Sequence, residues 1–366
     1  MDPRVTKLAR LLVHYSVKVQ KGQLVRIQGD PVALPLIEEV YREVVEAGAH
    51  PFTDIQPSSL QEIFLKKATD EQFNYISPIA HTIVNKIDCL IHIWADQNTR
   101  FLSGVDPERQ GRAQKGRRPL SERLFKRIGK GEVKWVGTLF PTQANAQDAN
   151  MSLSDYREFV YRAGHLHAAD PVKHWRSVEK EQTRLKKILD RAERIHIQAA
   201  DTDLKARVKG RKWISCHGTE NFPDGEIFTS PLEESTEGVI RFSFPANYGG
   251  REVEDVRLEF KKGRVVSERA VRNIEFLQAM LNLDEGSRRV GEIAIGTNYE
   301  IKQFTRNTLF DEKIGGTCHL AVGASFPEAG GKNKSSLHWD MVCDLKKDSQ
   351  ITADGKVIYR NGKFTI

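Results

Sequence analysis

The sequence has few cysteines, no long apolar segment and no glycine-rich nucleotide signature. Its four cysteines lie far apart among 366 residues and form no CxxC pair, which disfavours a zinc ribbon or a disulfide framework and predicts reduced thiols. No apolar run approaches the roughly 20 residues that cross a bilayer, and charges interrupt the first residues, where a signal peptide needs an apolar stretch. These absences predict a cytoplasmic protein without a membrane partner.

Length and composition favour two globular domains. A chain of 366 residues is longer than one compact core usually is. Hydrophobic residues make up 39% and charged residues 29%, which is typical of a globular protein and excludes a disordered or fibrous one. We expect an α/β domain over residues 1–195 and a second, metal-binding domain over residues 196–366.

The positive charge of the chain is concentrated in one segment. The net charge is +7, and residues 100–130 alone contribute that much. Such a segment attracts nucleic acid or other anionic partners. Only Phe101 and Phe125 are interleaved as aromatic residues, and no nucleic-acid motif accompanies them. We therefore interpret the segment as a solvated helix and loop and expect no nucleic-acid partner; binding to an acidic partner is the alternative.

The amino-terminal third alternates strand and helix patterns. Strands are predicted for QLVRIQG and HPFTDIQ, on either side of an amphipathic helix in VALPLIEEVYREVVEAG. Two further buried strands are predicted for KIDCLIHIWA and VKWVGTLFP. Repeated βαβ units of this kind predict a doubly wound parallel sheet. The residues after the first strand, GDPVAL, match neither of the common phosphate-binding loops, so no nucleotide site is expected.

The pattern changes near residue 195, after which short alternating strands dominate. Strand patterns are found in GVIRFSFPA, GEIAIGTN, GTCHLAVGAS and HWDMVCDL. Hairpin turns are predicted at Lys262-Gly263, Asp354-Gly355 and Asn361-Gly362. One helix, NIEFLQAMLNL, interrupts the strands. The carboxy-terminal domain is therefore expected to be an α+β domain rich in antiparallel strands.

Five side chains of metal-ligating type stand at the edges of these predicted strands. They are Glu226, Glu292, His319, His338 and Asp340. Both glutamates occur in a Gly-Glu-Ile motif, and the His-Trp-Asp spacing places the last two ligands on one face of a strand. Carboxylates and imidazoles in this ratio suit divalent transition ions, and five of them suit two ions about 3.5–4 Å apart.

Taken singly, each of these residues also fits a structural role. A glutamate after glycine often starts a solvated strand, a histidine in an apolar strand is often hydrogen-bonded in the core, and His-x-Asp occurs by chance. Spacing alone therefore does not show that the five converge. If they do, a two-metal site would lower the pKa of a bridging water and polarise a carbonyl, which predicts hydrolysis of an amide or ester.

Longer motifs carry more information than the single residues. The carboxy-terminal part contains NFPDGEIFTSPLEESTEGVIRFSFPANYGGREVEDVRLEFKKGRVV, then GEIAIGTN, FDEKIGGTCHLAVGASFPEAGGKN and HWDMVCDL. Together with FPTQANAQDANMSLSDYREFVYRA further upstream, these stretches resemble the thermophilic aminopeptidase family of dinuclear metallopeptidases over most of the chain. The resemblance implies an amino-terminal α/β domain, a carboxy-terminal metal-binding domain and a homodimer with an enclosed active site. It also implies removal of amino-terminal residues from peptide substrates.

The resemblance also assigns roles to individual positions. The family's metal ligands match Glu226, Glu292, His319, His338 and Asp340, which implies two divalent ions per chain, of zinc, cobalt, manganese or magnesium. Glu226 and Glu292 are the candidates for the bridging carboxylate and the general base. The family's catalytic tyrosine is replaced by Phe326, which lacks the hydroxyl that could bind an oxyanion or orient a water.

Two alternatives remain open at this point. Two histidines and one carboxylate, here His319, His338 and Asp340, also hold mononuclear iron, and a ring-cleaving dioxygenase resembles the peptidase family in fold. Retention of Glu226 and Glu292 argues against it, because one iron does not need them. The other alternative is a weakly active or non-enzymatic relative, and it rests on Phe326.

Overall fold

A computed structural model describes residues 2–366. One unit of the structure contains the chain up to Val172 together with Gly218–Phe222, and a second contains Lys173–His217 and Pro223–Ile366. The boundary expected near residue 195 lies within the second unit. The division into an α/β domain and a metal-binding domain at that residue stays a prediction.

The first unit alternates strands and helices along the chain. Its first strands are β1 (Leu24–Gly29), β2 (His50–Ile55), β3 (Cys89–Trp94) and β4 (Lys134–Leu139). Its helices are α1 (Pro3–Arg10), α2 (Leu34–Glu46), α3 (Ser58–Lys67), α4 (Asp70–Asn74), α5 (Pro78–Lys86), α6 (Pro107–Gly129), α7 (Gln143–Asp148) and α8 (Leu153–Ala163). A π-helical turn (Leu11–Ser16) continues α1, and a 3₁₀ turn (Pro31–Ala33) precedes α2.

The rest of the chain is dominated by strands. Its helices are α9 (Pro171–Leu189), α10 (Ile274–Leu281) and α11 (Thr308–Asp311), with a 3₁₀ turn at Pro327–Ala329. Its strands are β5 (Arg194–Ala199), β6 (Thr202–Arg207), β7 (Ile214–Cys216), β8 (Asn221–Phe222), β9 (Glu226–Thr229), β10 (Glu237–Arg241), β11 (Ala246–Tyr248), β12 (Arg251–Val253), β13 (Arg257–Lys261), β14 (Arg264–Arg269), β15 (Val290–Gly296), β16 (Thr317–Gly323), β17 (His338–Asp344), β18 (Gln350–Ala353), β19 (Lys356–Arg360) and β20 (Lys363–Phe364).

The sheet of the first unit has the strand order β2-β1-β3-β4-β8, and its neighbouring strands are parallel. Because β1 lies between β2 and β3, the chain builds outward in both directions, as in doubly wound folds. Strand β3 reads CLIHIW and is almost continuously buried, which is typical of a central parallel strand. The fold predicted for the amino-terminal part is confirmed.

Besides the two-stranded ribbon β11-β12, the second unit contains two larger antiparallel sheets that share one apolar core. The larger has the order β14-β13-β10-β6-β5-β18-β19-β20, and the smaller has the order β17-β16-β15-β9-β7. Ile197 and Phe260 from the larger sheet join Leu320, Trp339 and Met341 from the smaller in a single cluster. Every residue of β15 and of β16 is buried. The prediction of a carboxy-terminal part rich in antiparallel strands is confirmed.

Three hairpins have their turns at the positions that the sequence predicts. Lys262-Gly263 joins β13 to β14, Asp354-Gly355 joins β18 to β19, and Asn361-Gly362 joins β19 to β20. Both residues of each pair have a positive φ, for example 45° at Asn361 and 83° at Gly362. This conformation matches the type I′ turn, whose twist suits two-residue hairpins.

The basic segment lies mostly on α6, and most of its arginine and lysine side chains are exposed. This agrees with a solvated helix, and the absence of a nucleic-acid partner stays a prediction. Arg127 differs, because it is buried and its guanidinium donates to the carbonyls of Val84 and Ile87 at 3.1 and 2.9 Å. Between residues 2 and 366, no helix combines the length and the apolar character needed to cross a membrane.

Candidate metal centre

The five predicted ligands lie on one face of the smaller antiparallel sheet. Glu226 begins β9, Glu292 lies on β15, His319 on β16, and His338 and Asp340 on β17. The register places Glu292 opposite Ala321, and Ala321 opposite Asp340, so the two carboxylates flank a residue that has only a methyl group. His319 and His338 lie two residues away along their strands and therefore share that face. Strand pairing thus brings together residues that are distant in sequence.

The glycine before each glutamate allows close packing of the backbone. At Gly225 φ is 127°, and an added Cβ would lie 2.8 Å from the Cβ of Asn298. At Gly291 an added Cβ would lie 2.1 Å from the carbonyl oxygen of Ala324, at a register shift in β15. Each Gly-Glu-Ile motif therefore combines a close approach of the backbone with a carboxylate aimed at the site.

The ligand atoms are within a few ångströms of one another. Nε2 of His319 lies 3.4 Å from Oε2 of Glu226 and 3.6 Å from Oε1 of Glu292. Nε2 of His338 lies 3.3 Å from Oε2 of Glu292 and 3.4 Å from Oδ1 of Asp340. Glu292 therefore faces both imidazoles, one with each oxygen. The His319 side chain is 1% exposed, whereas that of His338 is 31% exposed.

Both imidazoles are oriented by the main chain. Nδ1 of His319 donates to the carbonyl of Glu312 at 2.9 Å, and Nδ1 of His338 donates to the carbonyl of Ala324 at 2.9 Å. A carbonyl oxygen only accepts hydrogen bonds, so the proton is on Nδ1 in both rings. In the neutral tautomer the Nε2 lone pair then points toward the carboxylates, as in metal-binding histidines.

The electrostatics of the site favour a cation. Burial lowers the pKa of His319, but Glu292, Glu226 and Asp340 outweigh burial and raise this pKa to about 10. Burial likewise lowers the pKa of His338, but Asp340 and Glu292 outweigh it and raise the pKa to about 12. Burial raises the pKa of Glu226 to about 8. Positive charge beside the imidazoles and carboxylates is therefore stabilised, whether protons or metal ions carry it.

The donor set fits divalent metal ions. Oε2 of Glu226 and Oδ1 of Asp340 are buried and accept no hydrogen bond from residues 2–366. Such orphaned oxygens carry a large desolvation cost unless a cation meets them. Glu226, Glu292 and His319 form one compact group of ligand atoms, and Glu292, His338 and Asp340 form another, with the atoms of each group within 4.8 Å. Oxygen and imidazole donors of this kind suit zinc, cobalt or manganese.

Comparison with known proteins places the chain in a family. The family model described as thermophilic metalloprotease (M29) matches residues 1–364. The chain belongs to this metalloprotease family. The prediction of the family is confirmed, and membership implies that the chain uses a divalent metal.

Curated relatives of this metalloprotease match it over nearly their whole length. It is 27% identical to Aminopeptidase 2 of Geobacillus stearothermophilus over 99% of this chain and 98% of the relative. It is 26% identical to Aminopeptidase T of Thermus thermophilus over 98% of this chain and 95% of the relative. The solved structure of wild-type AmpT from Thermus thermophilus covers 100% of this chain and 99% of its own, with a TM-score of 0.87 and 24% identity. The structural match confirms the fold, and nothing in these comparisons supports the iron dioxygenase.

Two residues of the candidate metal centre escaped the sequence-based prediction. Lys313 is 0% exposed, and its Nζ lies 3.7 Å from Oε1 of Glu226 and forms a close ion pair with Glu312. Glu312 also groups with His319 and Asp340 as a set of ligand atoms within 4.8 Å. Burial lowers the pKa of Lys313, but the two glutamates outweigh it and raise this pKa well above the ordinary value. An adjacent Glu-Lys pair ahead of the Thr-Cys-His strand was the only signal in the sequence.

Phe326 lies at the rim of the centre. Its ring centroid is 5.1 Å from that of His338 and 4.8 Å from that of Phe228, and its backbone N–H donates to Oγ of Ser230 at 3.1 Å. The position is therefore next to a candidate ligand, where a ring hydroxyl would be close to the chemistry. Tyr299 does not replace this hydroxyl, because its own hydroxyl donates to the carbonyl of Gly362 at 2.9 Å.

Proposed function

We propose that this metalloprotease is a metal-dependent aminopeptidase that removes amino-terminal residues from short peptides, using two divalent ions. The ligands proposed are Glu226, Glu292, His319, His338 and Asp340. The observation that carries this proposal is the position of Glu292, whose two oxygens face Nε2 of His319 and Nε2 of His338 at 3.6 and 3.3 Å. A carboxylate placed in this way suits a bridge between two ions.

The side chains of the site have distinct tasks in this mechanism. When bound, the two ions supply an activated water and polarise the scissile carbonyl. Glu292 would contribute one oxygen to each group of ligands. Glu226 is proposed to accept the proton of the attacking water, because its buried Oε2 accepts no hydrogen bond within the described part of the chain. The main-chain acceptors on Nδ1 of both histidines keep Nε2 available for the metal.

Phe326 is expected to lower the turnover of this aminopeptidase. A tyrosine at this position would add a hydrogen-bond donor next to His338, whereas the phenylalanine ring contributes only packing. Removing one donor to a developing oxyanion typically costs on the order of 10²- to 10³-fold in turnover. We therefore propose slow but measurable hydrolysis.

The proposal is tested by metal content and by substrate choice. The purified protein should hold about two ions of zinc, cobalt, manganese or magnesium per chain, as measured by elemental analysis. It should release free amino acids from unblocked dipeptides and leave the same dipeptides intact when their amino group is acetylated. Cleavage of the blocked dipeptides would contradict an aminopeptidase, and a single iron with oxygen uptake on a dihydroxylated ring would restore the dioxygenase.

A matched pair of variants separates the site from general effects of charge. Glu292→Gln removes the proposed bridging carboxylate, whereas Glu259→Gln removes an exposed carboxylate on β13. We expect loss of metal and of turnover in the first and no change in the second. Equal effects would refute the assignment of Glu292.

The assembly and the location of the protein are proposals of the same kind. We propose a homodimer, which light scattering would report as twice the chain mass of 41.5 kDa. A mass of one chain at micromolar concentration would contradict it. A cytoplasmic location stays a prediction that a fusion to a fluorescent protein would test.

A further inference from the structure

A lysine side chain is buried inside the candidate metal centre. Lys313 is 0% exposed, and its ammonium lies beside the carboxylates of Glu226 and Glu312. Lysine is almost never fully buried unless it is paired. The Lys313 ammonium therefore occupies space beside carboxylates that are candidate ligands of metal ions, and we ask what it does there.

The backbone around Lys313 holds this ammonium in place. The N–H of Lys313 donates to the carbonyl of Phe310, and its carbonyl accepts from the N–H of Asn298, both at 3.0 Å. The next residue packs so closely that a Cβ on Gly296 would lie 2.2 Å from the carbonyl oxygen of Ile314. The side chain therefore extends from a segment that is tied to the end of β15, and its position is part of the fold.

The ammonium makes the two halves of the centre different. On the Glu226 side, the carboxylate already has a cation 3.7 Å away, and His319 is 1% exposed. On the other side, His338 is 31% exposed, and the groups in ion-pair range of its Nε2 are Glu292 and Asp340, whereas the Lys313 ammonium is in ion-pair range of Glu226 and Glu312. An incoming ion therefore meets the more accessible half at His338, where no lysine ammonium among residues 2–366 is in ion-pair range of the ligand carboxylates.

A like charge at this distance changes the free energy of ion binding enough to make the dissociation constants of the two halves differ measurably. A charge within about 4–6 Å of another commonly changes an ionisation equilibrium by about ten- to a thousandfold. An ion held by Glu226 would be a near neighbour of the ammonium, so its affinity would fall by a comparable factor. In the metal-free protein the same ammonium compensates the carboxylates of Glu226 and Glu312.

We propose that Lys313 is a positioning residue that acts as a resident cation at the metal centre, so that the His338 half binds its ion first and tightly, and the Glu226 half binds second and weakly. This inference rests on the proposed two-ion centre. It adds an order of loading and names the residue that sets it.

The inference is tested by titrating the metal-free protein with Co²⁺ alone, followed by calorimetry and visible absorption. The wild-type chain should bind in two resolved steps. Lys313→Met should strengthen the weaker step at least about tenfold and change the tighter step much less, because only one half loses its like charge. Lys302→Met, at an exposed lysine in the segment before α11, is the matched control and should leave both steps unchanged.

Two outcomes would overturn the inference. One is a wild-type chain that binds both ions with equal affinity, and the other is a weaker step that stays the same or weakens further in Lys313→Met. If Lys313→Met does not fold, Lys313→Gln keeps a polar group of similar length and gives the same comparison.

Ligand variants test the order of loading without touching Lys313. His338→Ala should remove the tighter step, and Glu226→Gln should remove the weaker step. The reverse assignment would refute the proposed order even if both lysine variants failed to fold. The inference and the proposed function fail separately: two unequal steps without dipeptide hydrolysis would contradict only the activity, whereas hydrolysis with two equal steps would contradict only the role of Lys313.

Discussion

The two units of this metalloprotease each place a histidine on an inner strand of a sheet, and the pKa values of the two imidazoles shift in opposite directions. Burial and the positive charge of Arg26 lower the pKa of His92, on β3, to about 4, although Asp54 opposes them. Burial also lowers the pKa of His319, on β16, but three carboxylates outweigh it and raise the pKa to about 10. The first imidazole is therefore neutral near pH 7, whereas the carboxylates around the second stabilise a positive charge at that position.

The comparison shows that the charged neighbours of a buried histidine matter more than its burial. His92 lies in a parallel strand beside an Arg26–Asp54 ion pair that is already neutral. His319 faces Glu226, Glu292 and Asp340 across antiparallel strands. A surplus of carboxylates around the imidazole therefore distinguishes the candidate metal site from a structural histidine.

The largest expected effect separates the two histidines by activity. His319→Ala should reduce kcat/KM by on the order of 10³-fold or more, because the metal supplies several kcal/mol of stabilisation to the transition state. His92→Ala should lower thermal stability and leave kcat/KM of the folded fraction within a fewfold of wild type. Dipeptide hydrolysis and elemental analysis of both variants check this. Loss of metal from His92→Ala would contradict the assignment of metal binding to His319 and not to His92.

Removal of metal should lower the thermal stability of the second unit, which contains the candidate ligands. Ions at 100 times their dissociation constant stabilise the folded state by about 2.7 kcal/mol, so a chelator should lower the melting temperature by several degrees. His338→Ala should abolish most of this shift. Differential scanning calorimetry with and without chelator measures it, and a full shift in His338→Ala would place the bound ions elsewhere.

The pH dependence of stability should have opposite signs at the two histidines in the metal-free protein. The pKa of unfolded histidine is near 6.5 and that of folded His92 is about 4, so the unfolded chain gains a proton first as the pH falls. Stability is then lost between about pH 6.5 and pH 4, by about 2 kcal/mol from pH 7 to pH 5. For His319 the folded pKa is the higher one, so its contribution is present below the unfolded pKa and is lost as the pH rises toward about 10.

The variant His92→Phe measures the first of these contributions. Urea denaturation at pH 7 and pH 5, with chelator present throughout, should show a smaller loss of stability in His92→Phe than in wild type. An identical loss in the two proteins would mean that His92 takes up its proton at the ordinary pH.

The smallest expected effect concerns the aromatic neighbour of each imidazole. His92 packs against Trp94 and His338 against Phe326, with ring centroids 5.2 and 5.1 Å apart, but only the second pair borders the candidate metal centre. Phe326→Tyr should raise kcat about tenfold, because a new hydroxyl recovers part of the stabilisation that one donor gives. Phe326→Leu is the control, and an equal gain in that variant would attribute the effect to space.

The sequence predicted the strands of both units, because strand periodicity is a local property. The five candidate ligands followed from their side-chain chemistry together with the resemblance to a family. The sequence placed His338 and Asp340 on one strand face with Trp339 and Met341 on the other, and the structure buries the latter two at 1% and 0% exposure. It did not predict the convergence of Glu292 with Asp340, which depends on the register across Ala321.

Lys313 shows most clearly why the sequence is not enough. A Glu-Lys pair outside a strand normally indicates a solvated turn, and nothing local distinguishes a buried lysine from an exposed one. Its burial follows from the packing of the Ile314 backbone against Gly296, a contact between segments that are separated in the chain. The charge balance of the centre is therefore a property of the tertiary structure.

The orientation of the two imidazoles should tolerate substitutions at the residues that accept their hydrogen bonds. Both Nδ1 atoms donate to backbone carbonyls, of Glu312 and of Ala324. A carbonyl is present whatever side chain the residue has, so no single substitution at those positions deletes the acceptor. The path of the backbone thus determines the orientation of each ring. The geometry of the two imidazoles can therefore be kept while the side chains around them change.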